Sequence, residues 1–138
     1  MQDARDRNLD TREKILTQAA AVETARRLRR EGKPVKLATG WFDPVLAGHA
    51  RRLEALRDES APLMVVVADP RRPILPARAR AELVAALRVV DYVVLPEKGC
   101  LEHLLTQLEA VEIARGEAED EQLTRDLIRH VHTRQRAG

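Results

Sequence analysis

Residues 38–49 read Ala-Thr-Gly-Trp-Phe-Asp-Pro-Val-Leu-Ala-Gly-His, and this stretch is the most informative part of the chain. It follows a predicted strand and leads into a predicted helix. In open α/β sheets, ligands bind at the carboxyl ends of the strands, near the point where strand order reverses. Gly40 permits a tight turn, and Gly48 lets an anion approach the free N–H groups of the helix start. Because His49 can donate a hydrogen bond to the same anion, the stretch predicts a phosphate-type site.

A second interpretation remains open for the same residues. Strand, glycine and helix follow one another in many α/β proteins without any ligand. Asp43 would then cap a turn, and His49 would be a surface histidine.

Strand and helix patterns alternate on both sides of this stretch. The apolar run Leu63–Ala68 is typical of a strand that is covered on both faces of a parallel sheet. Asp10 is the predicted N-cap of the first helix, whose apolar face includes Ile15 and Leu16. Helices are predicted at 10–31, 48–58, 76–89, 100–108 and 119–133, and strands at 35–39, 63–68, 92–95 and 111–114. This order predicts an α/β fold with a parallel sheet of about four strands and helices on both faces.

Length and charge exclude several classes of protein. With 138 residues, of which 44% are hydrophobic, we expect a single domain at 10–134 after a flexible tail at 1–9. The 24 basic residues face 22 acidic ones, and the chain has one Trp, one Tyr and one Phe. It therefore lacks both the positive block and the aromatic platform that nucleic-acid binding uses, and we expect no nucleic-acid partner.

Cysteine and hydropathy patterns bear on location and metal sites. Cys100 is the sole cysteine, which excludes an intramolecular disulfide and a multi-cysteine zinc site. The remaining histidines do not form a metal-ligand pattern, so no metal site is predicted. No apolar run approaches the ~18 residues that a membrane span needs. The polar N-terminus is not a secretory signal, and the sequence predicts a cytoplasmic protein without a membrane partner.

The central stretch resembles the signature of a known family. Gly40, Phe42, Asp43, Gly48 and His49 match, in order and spacing, the motif Gly-x-Phe-Asp-x-x-His-x-Gly-His of the cytidylyltransferase-like nucleotidyltransferases. Residues 80–94 extend the match, and the resemblance covers about residues 12–97. Within the family it is strongest to the adenylyltransferase domain of ADP-heptose synthesis and to glycerol-3-phosphate cytidylyltransferase. The resemblance implies a small Rossmann-like sheet of the nucleotidyltransferase type.

The resemblance also implies a reaction and a set of site residues. Family members transfer a nucleotidyl group from CTP or ATP to a phosphate or alcohol and release pyrophosphate, mainly by positioning and charge stabilisation. An active member would use Mg²⁺ to neutralise the phosphates. His49 is the implied catalytic residue. The implied nucleotide- or phosphate-binding residues are Gly40, Trp41, Phe42, Asp43, Gly48, His49, Arg51, Arg80 and Arg115.

Four departures from the family pattern weaken the expectation of activity. Leu46 replaces the first signature histidine and has no hydrogen-bond donor. The loop at 69–73 is short, and a strand that carries a Gly-Asp pair in relatives has no counterpart. Residues 115–121 read Arg-Gly-Glu-Ala-Glu-Asp-Glu, so acidic side chains stand where relatives bind the triphosphate. Like charge opposes a polyanion there.

The sequence therefore leaves three hypotheses. The favoured one is a degenerate family member that binds a nucleotide or phosphate ligand with weak or no nucleotidyl transfer. The second is an active enzyme that moves CMP or AMP to a small phosphorylated sugar or polyol. The third is a non-catalytic interaction module, and we expect a homodimer in each case.

Overall fold

The computed structural model describes residues 10–137, and the tail predicted at 1–9 lies outside them. A short 3-10 helix at Thr11–Lys14 precedes a series of alternating strands and helices. The strands are β1 (Ile15–Leu16), β2 (Lys36–Gly40), β3 (Leu63–Val67), β4 (Tyr92–Val94) and β5 (Glu112–Arg115). The helices are α1 (Gln18–Arg30), α2 (Ala47–Ala55), α3 (Ala77–Ala85), α4 (Leu101–Leu108) and α5 (Glu117–Ala137).

The strands form one parallel sheet in the order β1-β4-β3-β2-β5, with helices on both faces. Successive side chains of a strand point to opposite faces of the sheet, so each central strand contributes side chains to two hydrophobic clusters, one on each face. Met64 and Val66 of β3 pack in the cluster that holds buried side chains of α1 and α4. Val65 and Val67 pack in the cluster that holds those of α2 and α3. The α/β fold class predicted from the sequence is confirmed.

The start of the chain corrects one prediction. Asp10 caps the 3-10 helix, accepting a hydrogen bond from Arg12 N, and does not begin a long helix at 10–31. Ile15 and Leu16 are extended and pair with β4, which adds a fifth strand to the four expected. Helix α1 begins only after Thr17, whose hydroxyl accepts a hydrogen bond from Ala20 N. Two adjacent apolar residues are compatible with a helix and with a short strand, and here pairing with β4 selects the strand.

Other boundaries shift without changing the architecture. Helix α3 ends at Ala85, four residues before the predicted end, because the following residues form tight turns in which Leu87 N and Val90 N bond to carbonyls three residues earlier. Helix α5 begins at Glu117 and ends at Ala137, beyond the predicted 119–133. Within residues 10–137, no helix combines the length and apolar character needed to cross a membrane.

The strand order positions the candidate site. Strands β3 and β4 lie on one side of β2, whereas β5 returns to its other side, so the order reverses at β2. Thr39 near the end of β2 pairs with Arg115 at the end of β5. The loop after β2 and the start of α5 therefore meet at the same edge of the sheet, which is where ligands bind in such folds.

Candidate functional site

The loop after β2 presents two backbone N–H groups to a buried carboxylate. Trp41 N and Phe42 N donate to Asp120 Oδ2 at 2.7 and 3.3 Å. Phe42 has a φ of 50°, a left-handed conformation that non-glycine residues adopt only when their surroundings enforce it. Asp120 lies in the first turns of α5 and is fully buried.

His49 lies behind this carboxylate in the first turn of α2. It is fully buried, and its Nδ1 accepts a hydrogen bond of 2.9 Å from Leu46 N. That bond fixes the neutral ring in the tautomer that carries its proton on Nε2. The Nε2 atom lies 3.0 Å from Asp120 Oδ1, although it is not aligned for a hydrogen bond with it. The only ring nitrogen of His49 free to donate therefore faces Asp120.

Arg52, one helical turn after His49, completes the surroundings of the carboxylate. Its Nη1 donates to Asp120 Oδ1 at 2.6 Å, and its guanidinium lies 5.6 Å from the centre of the Phe42 ring. A Cβ atom at Gly116 would lie 2.6 Å from this guanidinium, and one at Gly40 would lie 2.3 Å from Asp120 Oδ2. Both glycines are therefore required by close approach.

We call the N–H groups of Trp41 and Phe42 together with the side chains of His49 and Arg52 the anion cradle. Burial alone would raise the pKa of Asp120. The interactions with His49 and Arg52 outweigh burial and lower the pKa of this carboxyl below its ordinary value. Asp120 is therefore an ionised carboxylate at neutral pH, and the cradle holds an anion that the chain itself supplies.

Asp43, a predicted ligand, is occupied within its own loop. Its carboxylate accepts hydrogen bonds from Ile74 N and Leu75 N, at 2.6 and 2.8 Å, and it is buried. Its carbonyl accepts one from Thr124 Oγ1 of α5 at 3.2 Å. Asp43 thus joins the loop after β2 to the segment before α3.

Arg80 is likewise buried and binds the same loop. Its guanidinium donates to the carbonyls of Leu75, Trp41 and Ala68 at 3.0, 3.1 and 2.8 Å. A further bond of 2.5 Å reaches the exposed carboxylate of Asp69. These contacts hold three loop segments together and leave Arg80 without contact to the solvent side of the site.

The other predicted residues lie around the cradle without entering it. Arg51 is exposed, and the guanidinium of Arg115 is hydrogen-bonded to Glu102 and Glu117. Gly48 faces α5, where a Cβ would lie 3.3 Å from Leu123. That helix thereby covers the start of α2 where an anion was expected to approach.

Two residues of the cluster escaped the sequence interpretation. Arg52 was passed over for Arg51, although residues three apart on a helix share a face and Arg52 therefore shares one with His49. Asp120 belongs to the acidic stretch at 115–121, whose interpretation from the sequence is only that like charge opposes a polyanion. That charge was the one signal for Asp120 in the sequence.

The described side chains do not form a Mg²⁺ site of their own. Among residues 10–137, no group of three or more His, Cys, Asp or Glu side chains is placed to hold a metal ion. The two carboxylates closest to the loop, Asp43 and Asp120, already accept hydrogen bonds from the chain.

Comparison with known proteins agrees with this geometry. The sequence profile of the family described as "Cytidylyltransferase-like" matches residues 37–136. Three relatives carry the name "Bifunctional protein HldE". The one from Magnetococcus marinus is 31% identical and covers 90% of this chain and 28% of its own length. Those from Rhodopseudomonas palustris and Acidiphilium cryptum are 34% and 33% identical, covering 79% and 75% of this chain and 24% and 23% of their own lengths.

The chain thus spans about a quarter of the length of these relatives. The profile match includes β2, the anion cradle and most of α5. By sequence and by fold, this chain belongs to the cytidylyltransferase-like nucleotidyltransferase family.

Proposed function

We propose that this chain is a degenerate nucleotidyltransferase that keeps a site for a nucleotide or another phosphate-bearing small molecule but performs weak or no nucleotidyl transfer. The observation that carries the proposal is the occupation of the anion cradle by Asp120, which accepts hydrogen bonds from Trp41 N, Phe42 N and Arg52 Nη1. His49 Nε2 faces Asp120 Oδ1, and Arg52 Nη1 donates to the same atom. A triphosphate would have to displace this carboxylate before it could use either group.

Charge opposes that displacement. Two unit charges ~4 Å apart at an effective dielectric constant of ~20 repel by about 4 kcal/mol, which corresponds to roughly a thousandfold in affinity. Leu46 adds a second loss, since its side chain cannot donate to a phosphoryl oxygen. Removing one well-aimed donor typically costs on the order of 10²–10³ in rate. Together these terms support the proposal of weak or absent transfer.

The test is pyrophosphate release from CTP or ATP with Mg²⁺, with pools of sugar phosphates and polyol phosphates as acceptors. We expect little or no release above the rate in the absence of protein. A thermal-shift panel with CTP, ATP, CMP, AMP and pyrophosphate, each with and without Mg²⁺, reports binding separately from turnover.

Saturable release that His49→Ala abolishes and the exposed-histidine control His103→Ala preserves would overturn the proposal. It would support instead an active enzyme that transfers CMP or AMP to a small phosphorylated acceptor.

A second candidate function is homodimerisation through α5. Ile128 and Val131 are each 43% exposed on this helix. Its first turn carries Glu117 and Glu119, and its last turn carries Arg134 and Arg136. Antiparallel pairing of two copies would place the acidic end of one helix against the basic end of the other, as an isologous interface allows.

Sedimentation analysis over a range of concentrations tests this candidate. We expect a dimer that Ile128→Asp weakens, whereas Leu83→Asp, at an exposed leucine of α3, leaves it intact. A monomer at all concentrations would contradict it.

A further inference from the structure

The anion cradle offers more hydrogen bonds than a carboxylate uses. Within residues 10–137, Arg52 Nη2 is a buried polar atom without a hydrogen-bond partner, and His49 Nε2 lies 3.0 Å from Asp120 Oδ1 without the alignment of a hydrogen bond. Both flank the carboxylate, which already takes two backbone N–H groups and Arg52 Nη1. Buried donors in folded proteins are normally satisfied, so unused donors beside a bound anion indicate an imperfect match to that anion.

The mismatch between the cradle and the carboxylate favours a ligand with more oxygen atoms. A carboxylate is planar with two oxygens, whereas a phosphoryl group is tetrahedral and presents three or four. The backbone N–H groups come from the loop after β2, whereas the side-chain donors of His49 and Arg52 come from α2. A tetrahedral oxyanion in place of the carboxylate has acceptors for Nε2 and Nη2 as well. Charge-assisted bonds from a guanidinium to phosphate are among the strongest in proteins.

The walls of the cradle also suit close approach of an oxyanion. At Gly40 even a Cβ would come within 2.3 Å of the present carboxylate oxygen. The oxygen thus lies against the backbone of the loop, as bound phosphates lie in glycine-containing turns.

Asp120 contributes to neither of the two core clusters. It belongs to the first turns of α5, and its own N–H donates to Gly116 O at 2.9 Å. Beyond Thr124, which bonds to Asp43 O, α5 is mostly exposed. Movement of the carboxylate out of the cradle would therefore disrupt the apolar packing of neither core cluster.

We propose that Asp120 is an internal ligand that occupies a tetrahedral-anion site, so that a phosphoryl group binds there only in competition with this side chain. The proposal rests on the phosphate site in the proposed function and adds the residue that controls access to it. Asp120 thus determines which anions the site admits. Its singly charged carboxylate is tethered to the chain and has an effectively fixed local concentration. An external anion binds only if it interacts with the cradle more strongly than this carboxylate does.

The test measures thermal midpoints in inorganic phosphate and in pyrophosphate at constant ionic strength, with NaCl as the balancing salt. For Asp120→Asn we expect a saturable rise of the midpoint, with phosphate affinity at least about tenfold above that of the unmodified chain, since removal of the competing charge is worth that or more. Asp126→Asn, which neutralises an exposed carboxylate of the same helix, is the matched control and should respond as the unmodified chain does.

Two further variants keep the test decisive. Asp120→Ala vacates more volume and replaces Asp120→Asn if the latter does not fold. The double variant Asp120→Asn/Arg52→Gln should lose the response to phosphate. A general effect of salt on a destabilised protein would persist in this variant.

The proposal is overturned if folded Asp120→Asn and Asp120→Ala show no saturable response, or if the unmodified chain binds phosphate equally well. Its outcome is separable from that of the proposed function. Pyrophosphate release by the unmodified chain addresses catalysis alone, whereas the anion response of the Asp120 variants addresses the occupied site whether or not transfer occurs.

Discussion

Two buried ionic groups bind the loop after β2, and they differ in what surrounds them. Arg80 donates to carbonyl oxygens of the chain, including Trp41 O at 3.1 Å. Asp120 accepts from Trp41 N at 2.7 Å and from Arg52. One residue of the loop, Trp41, therefore joins both networks.

The networks of Arg80 and Asp120 differ in whether a group from another molecule could replace the buried side chain. The partners of Arg80 are mainly backbone carbonyls from three segments, an arrangement that requires a long side chain with fixed donors. The partners of Asp120 are donors that bind any oxyanion, and two of the nearby donors remain unused. We interpret the first network as structural and the second as a binding site that holds its own chain.

The largest effect is expected from breaking the Arg80 network. Arg80→Met removes every donor and leaves the carbonyls of Trp41, Ala68 and Leu75 without partners. At about 1–3 kcal/mol for each buried group left unsatisfied, we expect a loss of about 3–5 kcal/mol in the free energy of unfolding. Urea denaturation measures it.

Arg78→Met is the matched control, because Arg78 lies on the same helix, is exposed and, among residues 10–137, pairs only with Glu82. Its effect should stay within about 0.5 kcal/mol. Equal losses for the two variants would show that Arg80 does not hold the loops.

The next effect distinguishes two neighbouring arginines of α2. Arg52→Ala leaves Asp120 buried without its cationic partner, and we expect a loss of about 2–4 kcal/mol in stability. Arg51→Ala changes an exposed side chain and should cost less than about 0.5 kcal/mol. The reverse order would mean that the sequence motif, and not the described geometry, identifies the basic residue of the site.

A smaller effect comes from the charge on Asp120 and depends on pH. Asp120→Asn should cost about 1–3 kcal/mol at neutral pH, because a neutral amide bonds less strongly to Arg52 and His49. The pKa of Asp120 is lowered in the folded state, so its stabilisation is complete above the unfolded pKa of about 3.9 and is lost as the pH falls toward the folded value.

The difference in stability between the unmodified chain and Asp120→Asn should therefore shrink below about pH 4. Chemical denaturation at a series of pH values measures this, with Asp126→Asn as the comparison. A gap that stays constant or widens on acidification would contradict an ionised, stabilised Asp120.

Most of the fold could be predicted from the sequence because apolar periodicity survives in it. The run Leu63–Ala68 is buried along its length, as a strand covered on both faces must be. Strand β1 could not be predicted in this way. Ile15 and Leu16 fit a helical face and a strand equally, and the choice depends on the edge of β4 far along the chain.

The site could be predicted only in part, for a similar reason. Gly40 and His49 were found because the motif is local. Asp120 joins them from about 70 to 80 residues away through the pairing of β5 with β2, and no local pattern encodes that contact. Asp43 and Arg80 match the family's motif, but the structure gives each of them several partners within the chain.

The smallest effect on stability is expected at Gly48, the second glycine of the motif. In the sequence interpretation, Gly48 is needed so that an anion can approach the start of α2. In the structure, its open side faces Leu123, and a Cβ would lie 3.3 Å from that flexible side chain. Alanine gains about 1 kcal/mol over glycine in a helix, and a slight shift of Leu123 offsets part of that gain.

We therefore expect Gly48→Ala to change the free energy of unfolding by less than about 1 kcal/mol and, introduced into Asp120→Asn, to leave the phosphate response unchanged. Thermal midpoints with and without inorganic phosphate measure both quantities. Loss of the phosphate response in the double variant would place the anion at the start of α2, beside Gly48, and not in the cradle. The proposal that an anion replaces Asp120 in the cradle would then be wrong.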